Sequence, residues 1–323
     1  MRKETCAVAA VAAIWILNPA QAGAQQWPDK PARILVPFPP GGGTDIQARL
    51  LSVAFQKSMG QNFIIDNRTG AGGSIAAQLT VDSPPDGYTI LFTSGTISVI
   101  PTLLAKRLKF DVYSDLVPIS WISSTPLVLA LHPSVPANSV KGLVALAKRQ
   151  PGGMNASGNT VGSTAHLSGE MFNQVAGLKT TVLTYRGGGP AVISLISGEV
   201  DYGFVTAPSI MPHLKSGKAK AVAVTTPKRS PALPDLPTMN TFYPGFESDN
   251  WYAMFYPKGT PRPIVDKMNA EIKKAVETPE IKAFFPKEAL DPVASSPEEL
   301  TALLKREIPK YAKVIKFANI PTE

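Results

Sequence analysis

The stretch Arg33-Ile-Leu-Val-Pro-Phe-Pro-Pro-Gly-Gly-Gly-Thr-Asp45 decides how the rest of the chain is read. Ile34 to Val36 reads as a short apolar strand. Pro37, Pro39 and Pro40 end it ahead of three glycines. Thr44 or Asp45 is placed to cap a helix running to Met59, with Ile46, Leu50, Val53 and Phe55 at helical spacing. A strand, a Gly-rich turn and a helix start together make a place for an anion. The first N–H groups of a helix have no internal partner, and its dipole favours negative charge there. Glycine lets a ligand approach the backbone closely. One such turn taken alone reads more readily as an ordinary strand-to-helix connection.

Repetition shifts the reading toward a ligand site. Gly70-Ala-Gly-Gly-Ser74 follows a strand pattern at Phe63 to Asp66, and Thr93-Ser-Gly-Thr96 follows Tyr88 to Phe92. Gly158 to Thr164 follows Met154 to Ser157, and Gly187-Gly-Gly-Pro190 follows Thr181 to Tyr185. A helical pattern trails each. Five such turns predict an α/β fold whose strand ends converge on one polar ligand. Right-handed crossovers put the first three turns at one edge of a sheet.

The pattern divides into two lobes, each a doubly wound sheet flanked by helices. Apolar segments Leu116 to Ser123 and Leu127 to Leu131 are split by Ser124-Thr-Pro126, and the strand–helix alternation restarts after Pro151-Gly-Gly153. Pro212 to Gly217 reads as a turn. Two C-terminal helices are expected. One opens at Thr260-Pro261, and the other at the capping box Ser296-Pro-Glu-Glu299, with Leu300, Leu303, Leu304, Tyr311 and Val314 inward. Both are expected to cover the free face of the first lobe. That assigns 25–124 plus 246–323 to lobe 1 and 125–245 to lobe 2, with crossings near Ser123–Pro126 and Phe242–Ser248.

Residues 1–24 read as an export signal. Arg2 and Lys3 precede the apolar run Cys6 to Leu17, and Ala20-Gln-Ala22 and Ala22-Gly-Ala24 are small-x-small cleavage sites. Cleavage near Ala22 or Ala24 and export from the cytoplasm are expected, and no later run approaches the roughly 18 apolar residues of a membrane helix. The single cysteine, Cys6, lies in the leader. The mature chain is therefore expected to have no disulfide, thiol chemistry or zinc–thiolate site. Net charge is +8. The cations are dispersed, which argues against a nucleic-acid partner and leaves at most a modest field for anions.

Catalytic signatures are missing from the sequence. There is no Gly-x-Ser-x-Gly elbow, Ser-x-x-Lys, His-Glu-x-x-His or phosphate loop. His132, His166 and His213 lack metal-site spacing. His132 and His213 read as structural, whereas His166, after Val161-Gly-Ser-Thr-Ala165, is a candidate to line the cleft. Binding without cofactor or metal is the expectation.

Several segments together resemble the periplasmic substrate-binding proteins of tripartite tricarboxylate transporters, the Bug or TctC-like family. In the first lobe they are Val36-Pro-Phe-Pro-Pro-Gly-Gly-Gly-Thr-Asp45, Asn67-Arg-Thr-Gly-Ala-Gly-Gly73 and Pro85-Asp-Gly-Tyr-Thr89. In the second they are Val161 to Glu170, Tyr185-Arg-Gly187, Gly198-Glu-Val-Asp201 and Arg229-Ser-Pro-Ala-Leu-Pro234. The resemblance covers essentially the whole mature chain.

It implies a two-lobed, monomeric receptor of the periplasmic-binding-protein fold, with the ligand cleft between the lobes, that closes on a small di- or tricarboxylate or aromatic acid and delivers it to membrane permease subunits. Phe38, Gly42, Ala71, Gly72, Ser94 and Thr96 would line the first lobe. Ser163, Thr164, His166, Tyr185 and Asp201 would line the second. Tyr185 also reads as a strand-end residue packing between lobes. Asp201 also reads as a fold-holding acceptor, because an unpaired carboxylate repels an anion. Hydrogen bonds to a charged group contribute about 1.5–3 kcal/mol each. Four or five of them, less ordering, reach about −8 kcal/mol, a micromolar Kd.

The chain departs from the family pattern at Thr69, Thr184, Ile100-Pro101 and Ala156. Where the family usually has tyrosine, Ala156 is expected to make room for a bulkier acid. A ligand sensor signalling to a membrane receptor and an exported enzyme using Asp201 or His166 are the competing readings.

Overall fold

The computed structural model describes residues 27–185 and 188–322. The leader with Cys6, and Arg186 and Gly187 of the Tyr185-Arg-Gly187 segment, lie outside the described residues. The chain starts with β1 (Ala32–Val36), α1 (Gly43–Met59), β2 (Phe63–Asn67), α2 (Ser74–Val81), β3 (Thr89–Ser94), a short α3 (Ile100–Leu103) and β4 (Leu116–Thr125). It continues through β5 (Leu127–Leu131), α4 (Val140–Arg149), β6 (Asn155–Ser157), α5 (Thr164–Ala176), β7 (Thr181–Leu183), α6 (Gly188–Ser197), β8 (Tyr202–Thr206), α7 (Ala207–Lys215) and β9 (Lys220–Val224). It ends with β10 (Asn250–Pro257), α8 (Arg262–Val276), α9 (Pro279–Lys287), β11 (Asp291–Pro292) and α10 (Pro297–Phe317).

The strands form two mixed sheets, ordered β2-β1-β3-β10-β4-β11 and β7-β6-β8-β5-β9. β1 runs parallel to both β2 and β3, and β6 runs parallel to both β7 and β8. β10 is antiparallel to β3 and β4, and β5 is antiparallel to β8 and β9. The chain leaves the first sheet at Pro126 and returns to it at Asn250.

Side-chain alternation explains why each sheet is covered on both faces. In the first sheet, Ile34, Val36, Ile90, Phe92 and Met254 pack under α1, α8 and α9, against Phe55, Met268, Ile272 and Phe285. Their neighbours Leu35, Leu91, Ala253 and Phe255 face the other way, onto Ala76 and Ala77 of α2 and Leu300, Leu303 and Leu304 of α10. In the second sheet, Leu127, Leu129, Leu131 and Phe204 meet α4 and α5, while Val128, Ala130 and Val205 meet α6 and α7.

Four expectations are corrected. Ile46 and Val53 of α1 are exposed, and the buried face is Thr44, Asp45, Gln47, Ala48, Leu51 and Phe55. Pro212 does not mark a turn. It sits inside α7, where Pro208 is accepted in the first turn and apolar burial of Ala207 and Ile210 holds the helix. There are three C-terminal helices among the described residues, not two, because Thr278-Pro279 starts α9. Finally, α10 does not lie on the first sheet alone. Its first half packs there through Leu300, Leu303 and Leu304, but Tyr311, Val314 and Ile315 belong to the core of the second sheet.

Between the two halves of α10 lies an ion pair. Glu307 is 2% exposed and accepts from Lys310 Nζ on both oxygens at 2.7 Å. Lys310 also donates to the Glu247 carbonyl at 2.9 Å, on the segment returning to β10. Removing one partner of such a pair leaves a poorly solvated charge. Glu307→Gln is expected to destabilise the protein by about 3 kcal/mol in urea unfolding. A loss under 1 kcal/mol would show that Lys310 is satisfied without it.

Candidate functional site

The first three strand-to-helix turns meet at one edge of the first sheet, because β1, β2 and β3 are parallel. A Cβ built on Gly73 would stand 3.2 Å from Pro37 Cβ and 3.9 Å from Thr96 Oγ1. One built on Gly72 would stand 3.4 Å from Ile100 Cγ2. These approaches bring Gly73 of the second turn beside Thr96 of the third and Pro37 of the first, with Gly72 beside Ile100.

The second turn has an unusual backbone. Gly70, Ala71, Gly72 and Gly73 all have positive φ, with Ala71 at +45°. A side chain in this left-handed region is strained, and such strain concentrates at functional sites. Gly73 N–H donates to the Gly70 carbonyl, and Ser74 N–H to that of Ala71. Neither bond uses the Ala71 or Gly72 N–H. In the third turn, the Ser94 and Thr96 hydroxyls are 3.2 Å apart. Ser94 is buried and Thr96 half-buried.

In the first turn, neither Thr44 nor Asp45 caps α1. The N-cap is Gly42, which is exposed and has no side-chain cap. Asp45 instead joins a network with Gly41, Arg49 and Asn67. Asn67 Nδ2 also donates to the carbonyl of half-buried Phe38 at 2.9 Å. Sequence reasoning missed this network, although Asp45 and Arg49 stand at the i, i+4 spacing of a helical ion pair.

The second sheet contributes the start of α5. Ser163 is its N-cap and accepts from the His166 N–H at 3.2 Å. Thr164 follows at the first helical position, where an N–H has no intrahelical acceptor. His166 is buried, and its Nδ1 accepts from the Gly162 N–H at 3.1 Å, so the neutral ring carries its proton on Nε2. Its role is to hold the loop before α5. Gly162, at φ +75°, needs to be glycine: a Cβ there would be 2.1 Å from Leu103 Cδ1 of α3. This contact joins the α5 loop to an element of the first sheet's side.

Two sequence-derived positions, Asp201 and Ala156, are not brought to these turns. Asp201 precedes β8, at the end of the second sheet opposite the α5 turn. Its carboxylate accepts from Asn155 N–H at 2.8 Å, and its carbonyl from His132 N–H at 2.9 Å. It is a fold-holding acceptor. Tyr185 is half-buried and does stand at the α5 turn: its N–H donates to the Asn159 carbonyl at 3.1 Å, and its hydroxyl donates to Glu199 at 2.9 Å. Ala156 is fully buried in β6 within the core containing Phe172. Its small side chain therefore makes no room at a ligand site. The reverse omission is Thr206, at the end of β8 that Asp201 is not. It is the N-cap residue of α7, and its hydroxyl is 2.8 Å from that of Ser209. Reading Pro212 as a turn hid that helix start. Surface grooves of about 350 and 440 Å³ lie elsewhere, one against Phe242 and Tyr243, the other against Ile315 and Ile320.

Burial pushes the His166 imidazole down from 6.5 to about 4. The unfolded chain therefore takes up a proton near pH 6.5 that the folded chain refuses until about pH 4. This contribution to stability is complete above the higher value and falls by about 1.4 kcal/mol per pH unit between the two. Burial raises the Glu170 carboxyl, and that group acts in the opposite sense. His166→Gln retains an acceptor for Gly162 N–H. It is expected to flatten stability by about 3 kcal/mol across this window in urea titrations, and an unchanged pH profile would refute the assignment.

The chain matches the tripartite tricarboxylate transporter family receptor over residues 47–320. It is 35% identical to Protein BugT of Bordetella pertussis over 299 residues, covering 92% of each chain. Among solved structures, an R. palustris protein with adipate superposes with a TM-score of 0.81 at 32% identity, covering 92% of this chain and all of the other. MatC from Rhodopseudomonas palustris with bound malate gives 0.76 at 28% identity, covering 90% and 100%. With three parallel-strand turns gathered at one sheet edge and a match spanning most of its length, this chain belongs to the tripartite tricarboxylate transporter receptor family.

Proposed function

We propose that this protein is a periplasmic receptor that captures a small organic carboxylate between its two sheets and passes it to a membrane permease. The observation that carries the reading is the left-handed turn Gly70–Gly73, whose Ala71 and Gly72 N–H groups lie outside the turn's own bonds and whose Gly73 stands beside Thr96. Donors fixed in place suit a carboxylate, because hydrogen bonds to an ionised group are about twice as strong as neutral ones. The family supports the receptor role, and the adipate and malate in two relatives support the ligand class.

In this reading each sheet with its helices is a lobe, with residues 25–124 and 246–323 in one and 125–245 in the other. Gly42, Ala71, Gly72, Ser94 and Thr96 hold a carboxylate from the first lobe, and Phe38 supplies apolar wall. Ser163 and Thr164 meet the ligand from the second, and Thr206 takes the place first expected of Asp201. The acid is bound and released unchanged by a monomer.

Titration of the mature protein with adipate, malate, citrate and a benzene dicarboxylate tests this reading by thermal shift. A ligand at a hundredfold its Kd stabilises the folded state by about 2.7 kcal/mol, a shift of about 5 °C for a chain of this size. One acid is expected to give that shift and to be recovered intact. No shift with any acid refutes carboxylate capture, and chemical conversion of the acid refutes the receptor reading.

A further inference from the structure

Asp45 is 2% exposed, yet its carboxylate accepts four hydrogen bonds. They come from Gly41 N–H at 2.9 Å, Arg49 Nε at 2.9 Å, Arg49 Nη2 at 3.0 Å and Asn67 Nδ2 at 3.0 Å. The same Asn67 nitrogen donates to the Phe38 carbonyl at 2.9 Å. One carboxylate thus ties both ends of the Phe38–Gly41 turn, one directly and one through Asn67, to the end of β2. Within the turn the backbone supplies only the Gly42 N–H to Pro39 carbonyl bond, at 3.4 Å. Pro39 to Gly43 are exposed, and Gly41 sits at φ +82°.

A three-glycine turn has much freedom to lose, and little in its own backbone holds it. An acidic residue in the first turn of a helix usually serves that helix's own N–H groups. Asp45 turns back to Gly41 instead, leaving the Gly43 and Thr44 N–H groups outside its bonds. Arg49 balances its charge, so the network places no net negative charge beside an anion. Burial opposes ionisation of Asp45. The hydrogen bonds from Arg49, Gly41 and Asn67, with the Arg49 charge, outweigh it and hold the carboxyl below its ordinary value.

We propose that Asp45 is a positioning residue for ligand capture: without touching the ligand, it holds the Phe38–Gly42 turn in its binding-competent shape through Gly41 and Asn67. This rests on the receptor reading above. If the turn must be ordered before or during binding, the apparent affinity falls by the fraction of molecules already ordered. The loss appears in the association rate, because the contacts in the closed complex are unchanged. A residue that touched the ligand would instead speed dissociation.

Asp45→Asn and Asn67→Ala, each alone and combined, test the role. Stopped-flow binding of adipate and malate and amide exchange of Gly41 to Gly43 in the unliganded protein are the readouts. Asp45→Asn is expected to slow association about tenfold and leave dissociation within twofold, with faster exchange at Gly41 to Gly43 and a melting temperature within about 3 °C of wild type. Asn67→Ala is expected to act in the same direction and less than additively in the double variant. Wild-type association with unchanged exchange in Asp45→Asn overturns the proposal, as does a loss confined to dissociation. If Asp45→Asn does not fold, Asn67→Ala carries the same two readouts. A wild-type protein that binds neither these acids nor any other overturns the receptor reading and the positioning role with it, while exchange still reports whether Asp45 holds the turn.

Discussion

A helix start exposes N–H groups that the helix itself cannot satisfy, and this chain repeatedly places such starts at the ends of parallel strands. Parallel pairing of β1 with β2 and β3 forces three of them to one edge of the first sheet. Pairing of β6 with β7 and β8 does the same in the second. The rest of the architecture follows from keeping those edges fixed. Apolar residues alternate across each strand, so helices must cover both faces, and fully buried strands such as β3 and β5 cannot slip register without turning their side chains to the opposite face. The geometry of the turns is therefore a consequence of core packing some distance away.

The same packing limits how the two sheets move. Two chain segments cross between them, at Pro126 and ahead of Asn250, and α10 makes a third link by burying one half in each core. Each fully buried Leu, Val or Ile contributes about 1.5–3 kcal/mol, so neither half of α10 detaches readily. Motion of one lobe on the other, if the protein closes as proposed, must bend α10 or rotate about it. Pro309 lies between the halves, where a proline removes one helical hydrogen bond and permits a kink. The Tyr311 hydroxyl, Ser248 and Ser168 lie in one line of polar contacts, at 3.4 and 2.7 Å, so the second half of α10 is tied to both α5 and the returning segment.

Strand positions and the converging turns could be read from sequence because their signals are local. An apolar run, a glycine cluster and a capping residue each act within a few positions, and the Ser296–Glu299 capping box forms with both of its bonds. What could not be read depends on the third dimension. Proline inside α7 is tolerated because Ala207 and Ile210 are buried, which no window around Pro212 reveals. The inward face of α1 is set by polar Thr44 and Gln47 as much as by Leu51 and Phe55, so apolar spacing found Phe55 and half-buried Leu50 but also took in exposed Ile46 and Val53. Tyr311 was legible as a core residue, but not as part of the second sheet's core.

The carboxylates show why a residue type alone does not place a site. Asp45 and Asp201 both precede or open regular elements near glycines, and both are acceptors of backbone N–H groups. Strand direction separates them. Asp45 stands where β1 has ended and α1 begins, among the helix starts, whereas Asp201 stands where β8 has yet to begin, beside the end of β5. An uncompensated carboxylate at the first position would repel an anionic ligand, and Arg49 at i+4 removes that penalty. At the second position the Asn155 N–H is the partner of the carboxylate. If backbone amides hold the ligand as proposed, an acidic residue can stand close to it, provided it is neutralised by its own helix and used to hold the amides still.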